Sequence, residues 1–376
     1  MRDAVIIGGG PIGLACAAML ARRGIGSRVL DGRPLEPAHR DARLLALSRG
    51  TWELLTPLLG EDLPPRAAIR EVFVSSAGDF GGADLGATVL YGDLLTALAA
   101  SVATQPAIEV LRPATASAVQ QRPDRVDVLL ADGSALHADL AIHAEGVIAA
   151  PAAAGAATAT DDWALLADLQ LRPSRADLPA GAAFERFTRD GPLALLPTPA
   201  AIGDGACRAL SMVWCMSAAE ARRRSGLADD ALLAELQAQL GPRIGTVTTI
   251  GRRRAVALPR HVREQVHQHR TVALGNAAQT LHPVAGQGFN LGLRDCATLA
   301  DELAQGGTVT EALARHASRR RPDRAAITAL TGSLPMLFAS RFAPIAVARG
   351  LGLAALDAAP PLRRELAHLL MFGVRS

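Results

Sequence analysis

The chain has no lysine; all 39 of its basic residues are arginine. Alanine is abundant, so this reads as a GC-rich coding bias. The arginine clusters at 252–254 and 319–324 therefore carry little weight as phosphate sites. The net charge of +3 is too small to argue for a nucleic-acid partner. Four cysteines, Cys16, Cys207, Cys215 and Cys296, are scattered with no C-x-x-C pair. That pattern argues against a zinc site or a disulfide framework and fits a reducing cytosol. No uncharged apolar run reaches the ~18 residues of a spanning helix. The nearest, 334–356, is interrupted by Arg341 and Arg349. A strand begins by residue 4, leaving no room for a signal peptide. These absences lead to the expectation of a cytoplasmic protein that binds neither metal nor nucleic acid.

What is present begins with size. At 376 residues the chain exceeds one ordinary domain, and 49% apolar against 20% charged residues marks it as globular. Two domains, or one large domain with an insertion, both fit that length.

An apolar run at 4–7 reads as a buried parallel strand. Gly8-Gly-Gly-Pro-Ile-Gly13 follows at once, then a helix over 14–23 and a strand over 27–30 ending at Asp31. In G-x-G-x-x-G, Gly8 permits the tight turn, Gly10 admits a pyrophosphate, and Gly13 lets helix and strand pack closely. Asp31 stands about 20 residues further on, where an acid accepts hydrogen bonds from an adenosine ribose. An acid there favours an unphosphorylated ribose, so FAD or NAD rather than NADP.

A second stretch organises the rest. Residues 271–274 read as a short buried strand and 290–303 as a helix with apolar residues at helical spacing. Between them lies a loop with Pro283, and around its end stand Gly286, Gly288 and Gly292. Glycine lets backbone approach a ligand closely, and a helix start presents free N–H groups with partial positive charge. The expectation is a backbone-lined pocket for a group that carries or develops negative charge.

Elsewhere, Arg40 and Arg43 precede a helix that runs to about residue 59; either could reach a pyrophosphate or a flavin edge. For Arg40 a solvated helix start is the better reading. Strands are expected at 71–76, 87–90, 108–111, 116–120, 125–130 and 139–144, with a helix over 93–104. Residues 149–160 read as a linker. Four segments between 163 and 215 then resemble an antiparallel sheet, followed by helices at 218–226 and 229–240 and a strand at 246–258. Helices fill 309–330 and 334–372. The nucleotide-binding half is therefore discontinuous, with the 160–250 sheet inserted into it.

Taken together, GGGPIGLACAAMLARRG, DARLLALS, FERFTRDGPLALLP and GNAAQTLHPVAGQGFNLGLRD resemble the class A flavin-dependent monooxygenases. More narrowly they resemble the ubiquinone-biosynthesis hydroxylases, in the 2-octaprenyl-6-methoxyphenol hydroxylase branch. The resemblance implies an α/β fold of the p-hydroxybenzoate hydroxylase type. A Rossmann-like FAD-binding domain would comprise 1–70, 92–160 and 245–305, with a mixed, largely antiparallel substrate domain of 71–91 and 161–244 inserted. A C-terminal helical region would cover 306–376.

FAD would be the cofactor, with NAD(P)H as co-substrate. Gly8, Gly10, Ile12, Gly13 and Asp31 would hold its ADP half, and Arg43 would lie near the pyrophosphate and flavin. Asn276 would bond a ribityl hydroxyl. Pro283, Gly286, Gln287, Gly288, Phe289 and Asn290 would border the isoalloxazine, their N–H groups stabilising the reduced anion. NAD(P)H would reduce the flavin, dioxygen would add at C4a, and the distal oxygen of that hydroperoxide would pass to an electron-rich ring. The substrate implied is a polyprenylated phenol or quinol precursor of ubiquinone. Other proteins of that biosynthesis, and the surface of the inner membrane, are the partners the resemblance suggests.

His282 and Pro283 are the candidates for direct catalysis. For His282 the alternatives are proton handling near the flavin and a structural brace for the loop, the second being favoured. The family's A-D-G-x-x-S-x-x-R pattern reads here Ala144-Glu145-Gly146 and lacks the serine and the arginine. That departure favours one alternative to the hydroxylase, a non-catalytic paralogue that stabilises a biosynthetic complex; a second alternative is a flavin dehydrogenase on the same scaffold, against which the AGQG loop speaks. Trp52, Trp163 and Trp214 form no W-x-W motif, which argues against a halogenase.

Overall fold

The computed structural model describes residues 3–38, 41–74, 80–146, 161–174, 180–199, 207–242, 244–283, 286–339 and 359–374. Arg40, residues 147–160 with the expected linker at 149–160, Val284, Ala285 and the apolar stretch 340–358 lie outside the described residues.

The chain opens with β1 (Asp3–Ile7), α1 (Pro11–Ala21), β2 (Gly26–Leu30), α2 (Leu35–Ala38), β3 (Leu44–Ser48) and α3 (Arg49–Leu59). The hairpin β4 (Arg66–Val74) and β5 (Phe80–Leu90) leads to α4 (Tyr91–Ala103) and β6 (Ile108–Leu111). A meander, β7 (Ala116–Gln121), β8 (Val126–Leu130) and β9 (Ala135–Ala138), returns to β10 (Leu140–His143). Next come β11 (Asp162–Pro173), β12 (Ala182–Phe187), β13 (Pro192–Pro197) and β14 (Arg208–Ser217). They are followed by α5 (Ala218–Ser225), α6 (Asp229–Leu240), β15 (Gly245–Ile250) and β16 (Arg254–Ala257). Short strands β17 (His261–Val262), β18 (His267–Gln268), β19 (Thr271–Ala273) and β20 (Gln279–Thr280) precede α7 (Gln287–Ala304), α8 (Val309–Ala339) and α9 (Pro360–Phe372).

Two sheets carry the fold. The first has the order β18-β19-β10-β1-β2-β6, parallel except for β18 at its edge. Its central strands β1 and β10 are apolar on both faces because both are covered. Val5 and Ile7 pack against the meander residues Val126 and Val128, while Ala4 and Ile6 join the core formed with α1, α4 and α7. The chain passes from β1 to β2 on one side, whereas β10 and β19 add on the other. The carboxyl ends of β1 and β10 therefore flank a topological switch point, where α/β sheets bind their ligands.

The second sheet has the order β15-β11-β14-β13-β12-β4-β5-β3, with β16 also beside β11. It is antiparallel except where β12 meets β4. In β14 the alternation buries Leu210, Met212 and Trp214, which pack with Leu232, Leu236 and Leu240 of α6. Each such side chain contributes roughly 1.5–3 kcal/mol by leaving water.

Three placements differ from the sequence expectation. Residues 245–257, grouped with the nucleotide-binding half, form β15 and β16 and pair with β11 in the second sheet. An alternating apolar pattern fixes which face of a strand is buried but not which sheet it joins. β3 and the start of β4 likewise belong to that sheet, although 1–70 was assigned to the first domain. Finally, α7 begins at Gln287 and not at Asn290, so Gly288 joins Gly292 inside the helix.

Candidate cofactor and active site

The β1–α1 turn is built around atoms that leave no space for side chains. Gly8 has φ +112°, and a Cβ there would stand 2.5 Å from the carbonyl carbon of Ala144 at the end of β10. At Gly13 a Cβ would be 1.9 Å from the Gly8 carbonyl oxygen, so helix and strand meet backbone to backbone. Gly10 caps α1 with no side-chain hydrogen bond, and Pro11 is the first helical residue. The first-turn N–H groups around Ile12 and Gly13 thus face the turn without a side-chain cap.

Asp31 directly follows β2, with only 7% of its surface exposed. Its Oδ2 accepts from the Gly9 N–H at 3.1 Å and its Oδ1 from the Arg33 N–H at 2.9 Å. Arg112 donates to the Gly9 carbonyl and stands 3.6 Å from Asp31 Oδ2. Arg43 lies on the rim. Its guanidinium carbon sits 4.4 Å from the centroid of Tyr91, and its Nη2 lies 2.7 Å from an Asp41 carboxylate oxygen. The Tyr91 hydroxyl in turn would be 3.2 Å from a Cβ at Gly10. Burial raises the Tyr91 pKa and Arg43 opposes the rise.

The second glycine loop abuts the first. Gly275, at φ +56°, opens the turn Gly275–Ala277, and a Cβ at Gly292 of α7 would stand 2.8 Å from its Cα. Ile12 touches both positions, and the Cys296 thiol donates to the Ile12 carbonyl at 3.7 Å. The start of α1 is therefore held against the second and third turns of α7. Gly286 caps α7 in the left-handed region at φ 59° and ψ 27°, with no side-chain cap. Asn276 is exposed on its turn, and Pro283, Gly286, Gly288 and Phe289 are half-buried, while Gln287 is buried.

Asn290 behaves differently from its neighbours. Its side chain is 2% exposed, accepts from the Ser48 N–H at 2.9 Å, and donates to the carbonyls of Ala46 at 3.1 Å and Gly286 at 2.9 Å. It ties β3 to the head of α7.

His282 is also buried, and burial pushes its pKa down to about 4, with Arg260 adding to the effect and Asp162 opposing it. Near neutral pH it is uncharged. Glu145, at the altered family motif, lies 3.2 Å from His143 Nδ1. Tyr91, Arg112 and the Arg260–Asp162 pair escaped the sequence reading. Tyr91 alone left a signal, as the chain's single tyrosine.

Two side-chain-free turns, two uncapped helix starts and a buried carboxylate at a strand end match the demands of an extended dinucleotide. Among the described residues, no His, Cys, Asp and Glu cluster could hold a metal ion. The chain matches the FAD binding domain family over residues 1–72 and 87–330. It is 31% identical to ubiquinone hydroxylase UbiL of Rhodospirillum rubrum, over 96% of this chain and 87% of that protein. It is 28% identical to 3-demethoxyubiquinol 3-hydroxylase of Escherichia coli, over 96% of each. In fold it is similar to p-nitrophenol 4-monooxygenase of Pseudomonas putida, with TM-score 0.73, 16% identity and 100% of both chains covered. With its two glycine cradles and inserted sheet, the chain belongs to the FAD binding domain family and is a flavoprotein monooxygenase of the ubiquinone-biosynthesis hydroxylase group.

Proposed function

We propose that the protein hydroxylates a polyprenylated phenol or quinol precursor of ubiquinone, using FAD, NAD(P)H and dioxygen. The observation that carries this reading is the contact of the two glycine turns through Ile12, Gly275 and Gly292. It packs the uncapped start of α1, suited to a pyrophosphate, against the body of α7, whose own start at Gly286 also has no side-chain cap. The first sheet, with α1, α4 and α7, forms the cofactor-binding body, and the second sheet forms the substrate side.

Backbone N–H groups around Gly10, Ile12 and Gly13 receive the pyrophosphate, and Asp31 bonds the adenosine ribose. Arg43 lends positive charge at the rim, and Asn276 offers its exposed amide to the ribityl chain. When bound, FAD accepts hydride from the nicotinamide nucleotide and activates dioxygen for transfer to an electron-rich ring. The chain's own contribution is electrostatic and steric. The head of α7, from Gly286 through Gly288 and Phe289, directs its dipole at the negative charge that reduction creates. Pro283 and Phe289 shield that region from water. His282, uncharged near neutral pH, braces the loop and adds no positive charge. NAD(P)H binds transiently, in keeping with the lack of a second G-x-G-x-x-G. No helix of the described residues is long and apolar enough to cross a membrane. In this reading a prenyl tail reaches the site from a membrane surface or a partner protein.

The test is a visible spectrum of the purified protein, followed by NAD(P)H in air. Flavin bands that bleach with NAD(P)H and return with oxygen are expected, with turnover accelerated by a prenylated phenol. A protein that stays colourless with excess FAD would overturn the reading and leave the non-catalytic paralogue.

A further inference from the structure

The end of α9 is bonded into the fold at two points, and both lead to α7. A helix leaves its last carbonyls without partners of its own. Here the Ser48 hydroxyl donates to the Met371 carbonyl at 2.8 Å. Ser48 in turn gives its backbone N–H to Asn290 Oδ1 at 2.9 Å, and Asn290 Nδ2 donates to the Gly286 carbonyl at 2.9 Å. The second point lies just beyond the helix. The Val374 N–H donates to Asp323 Oδ1 at 3.2 Å, while Asp323 Oδ2 accepts from Arg294 Nε at 3.0 Å. The fit at both points is close. A Cβ at Gly50 would stand 2.7 Å from the Met371 carbonyl oxygen, and one at Gly373, where φ is +84°, 2.7 Å from Asp323 Oδ1.

Asn290 and Arg294 are one turn apart on α7 and therefore share a face of it. Each is reached through a single intermediary, Ser48 or Asp323, from the same short segment, 371–374. Two attachments one turn apart fix a helix in rotation as well as in position, which one attachment does not. The intermediaries stand on different elements, Ser48 at the start of α3 and Asp323 on α8, so the segment draws three helices together. Gly286 to Phe289 form the turn just before Asn290 and move with it. Groups that must meet a ligand are only as well placed as the elements that hold them.

We propose that residues 371–374 form a clasp that positions the head of α7 for the flavin, with Ser48 and Asp323 as its two prongs. The proposal rests on the reading that this head meets the flavin, and deepens it. Ser48 and Asp323 are positioning residues that act through α7. Releasing either prong lets the head shift, at a cost in flavin affinity and not in folded structure.

The experiment titrates the deflavinated protein with FAD and records far-ultraviolet dichroism on the same samples. Val374→Pro removes the N–H given to Asp323 and suits the extended ψ of −172° at Gly373. Val374→Ala keeps that N–H. Ser48→Ala removes the donor to Met371, and Ser48→Thr keeps it. Val374→Pro and Ser48→Ala are each expected to weaken FAD binding about fivefold, the worth of one hydrogen bond. Val374→Ala and Ser48→Thr should match wild type, with dichroism unchanged in all four. Ser48→Ala also uncaps α3, whereas Val374→Pro leaves α3 untouched, so a shared loss belongs to the clasp. Wild-type affinity in either Val374→Pro or Ser48→Ala overturns the proposal, even if the denaturant midpoint falls. So does a loss that tracks lost dichroism, or one that Val374→Ala and Ser48→Thr share. Gly288→Val supplies the reference. A Cβ at Gly288 meets no atom within 4 Å, so the protein accommodates it, and the valine obstructs a flavin at the head of α7. It is expected to weaken FAD binding more than either prong variant. Wild-type affinity in Gly288→Val would mean that the flavin lies elsewhere, and that reading would fall together with the proposal.

Discussion

Asn290 illustrates how one buried side chain can tie together backbone from distant parts of the chain. Its amide satisfies one N–H and two carbonyl groups of the backbone, inside a region with almost no access to water. Asn290→Ala leaves those groups unbonded, at a cost of roughly 2–4 kcal/mol. The expected outcome is a lower denaturant midpoint, with flavin stoichiometry retained under native conditions. Lost flavin at unchanged stability would instead mean direct contact with the cofactor. The chain has only two asparagines, Asn276 and Asn290, and both fall in the second glycine stretch. Both read in the sequence as cofactor contacts, and the backbone bonds that Asn290 makes were not legible there. The Ser48 partner of Asn290 lies 242 residues away, and no local pattern encodes that distance. Gly8, Gly13 and Asp31 were easier to read, because their constraints arise within one strand–turn–helix–strand unit.

At the scale of elements, α7 and α8 are joined by buried charge. Arg294 Nε lies 3.0 Å and Arg320 Nη2 2.6 Å from the same Asp323 oxygen, and Arg320 Nε lies 2.6 Å from Asp295 Oδ1. All four side chains are less than a tenth exposed. Asp323→Asn leaves two buried guanidiniums sharing one remaining carboxylate, and breaking such a pair costs about 3–5 kcal/mol. The Arg23–Asp301 pair provides the contrast. Its side chains are 44% and 41% exposed, and a surface pair of that kind contributes about 0–1 kcal/mol. Chemical denaturation should therefore separate Asp323→Asn from Arg23→Ala by several kcal/mol; equal effects would mean that water reaches the helix interface. In the sequence, the arginines at 319–324 looked like coding bias and not a phosphate site. Arg320 instead meets carboxylates of its own chain. The existence of α8 was legible from its pattern, but its inward-facing charges depend on what α7 presents.

For the molecule as a whole, two buried histidines report on cooperativity. His282 sits in the loop that leads to α7 and His316 on α8, and burial pushes the pKa of each down to about 4. Asp295 opposes the shift at His316, whereas Arg320, His267 and Arg324 reinforce it. In the unfolded chain a histidine takes up its proton near pH 6.5. Between pH 6.5 and 4 the unfolded state therefore binds protons that the native state refuses, and stability falls as pH falls. The stabilisation is fully present above pH 6.5 and declines through the folded value. At pH 5 the loss is roughly 2 kcal/mol for each histidine, before most carboxylates have begun to protonate. The denaturant midpoint should accordingly drop between pH 7 and pH 5, and His316→Phe should remove about half of that dependence. If the two sheets and the C-terminal helices unfold as one unit, flavin fluorescence and far-ultraviolet dichroism will follow a single transition at both pH values. Flavin release well before the loss of secondary structure at pH 5 would instead place His282 in a locally unfolding loop. The slope of the later transition would then correspond to one histidine rather than two.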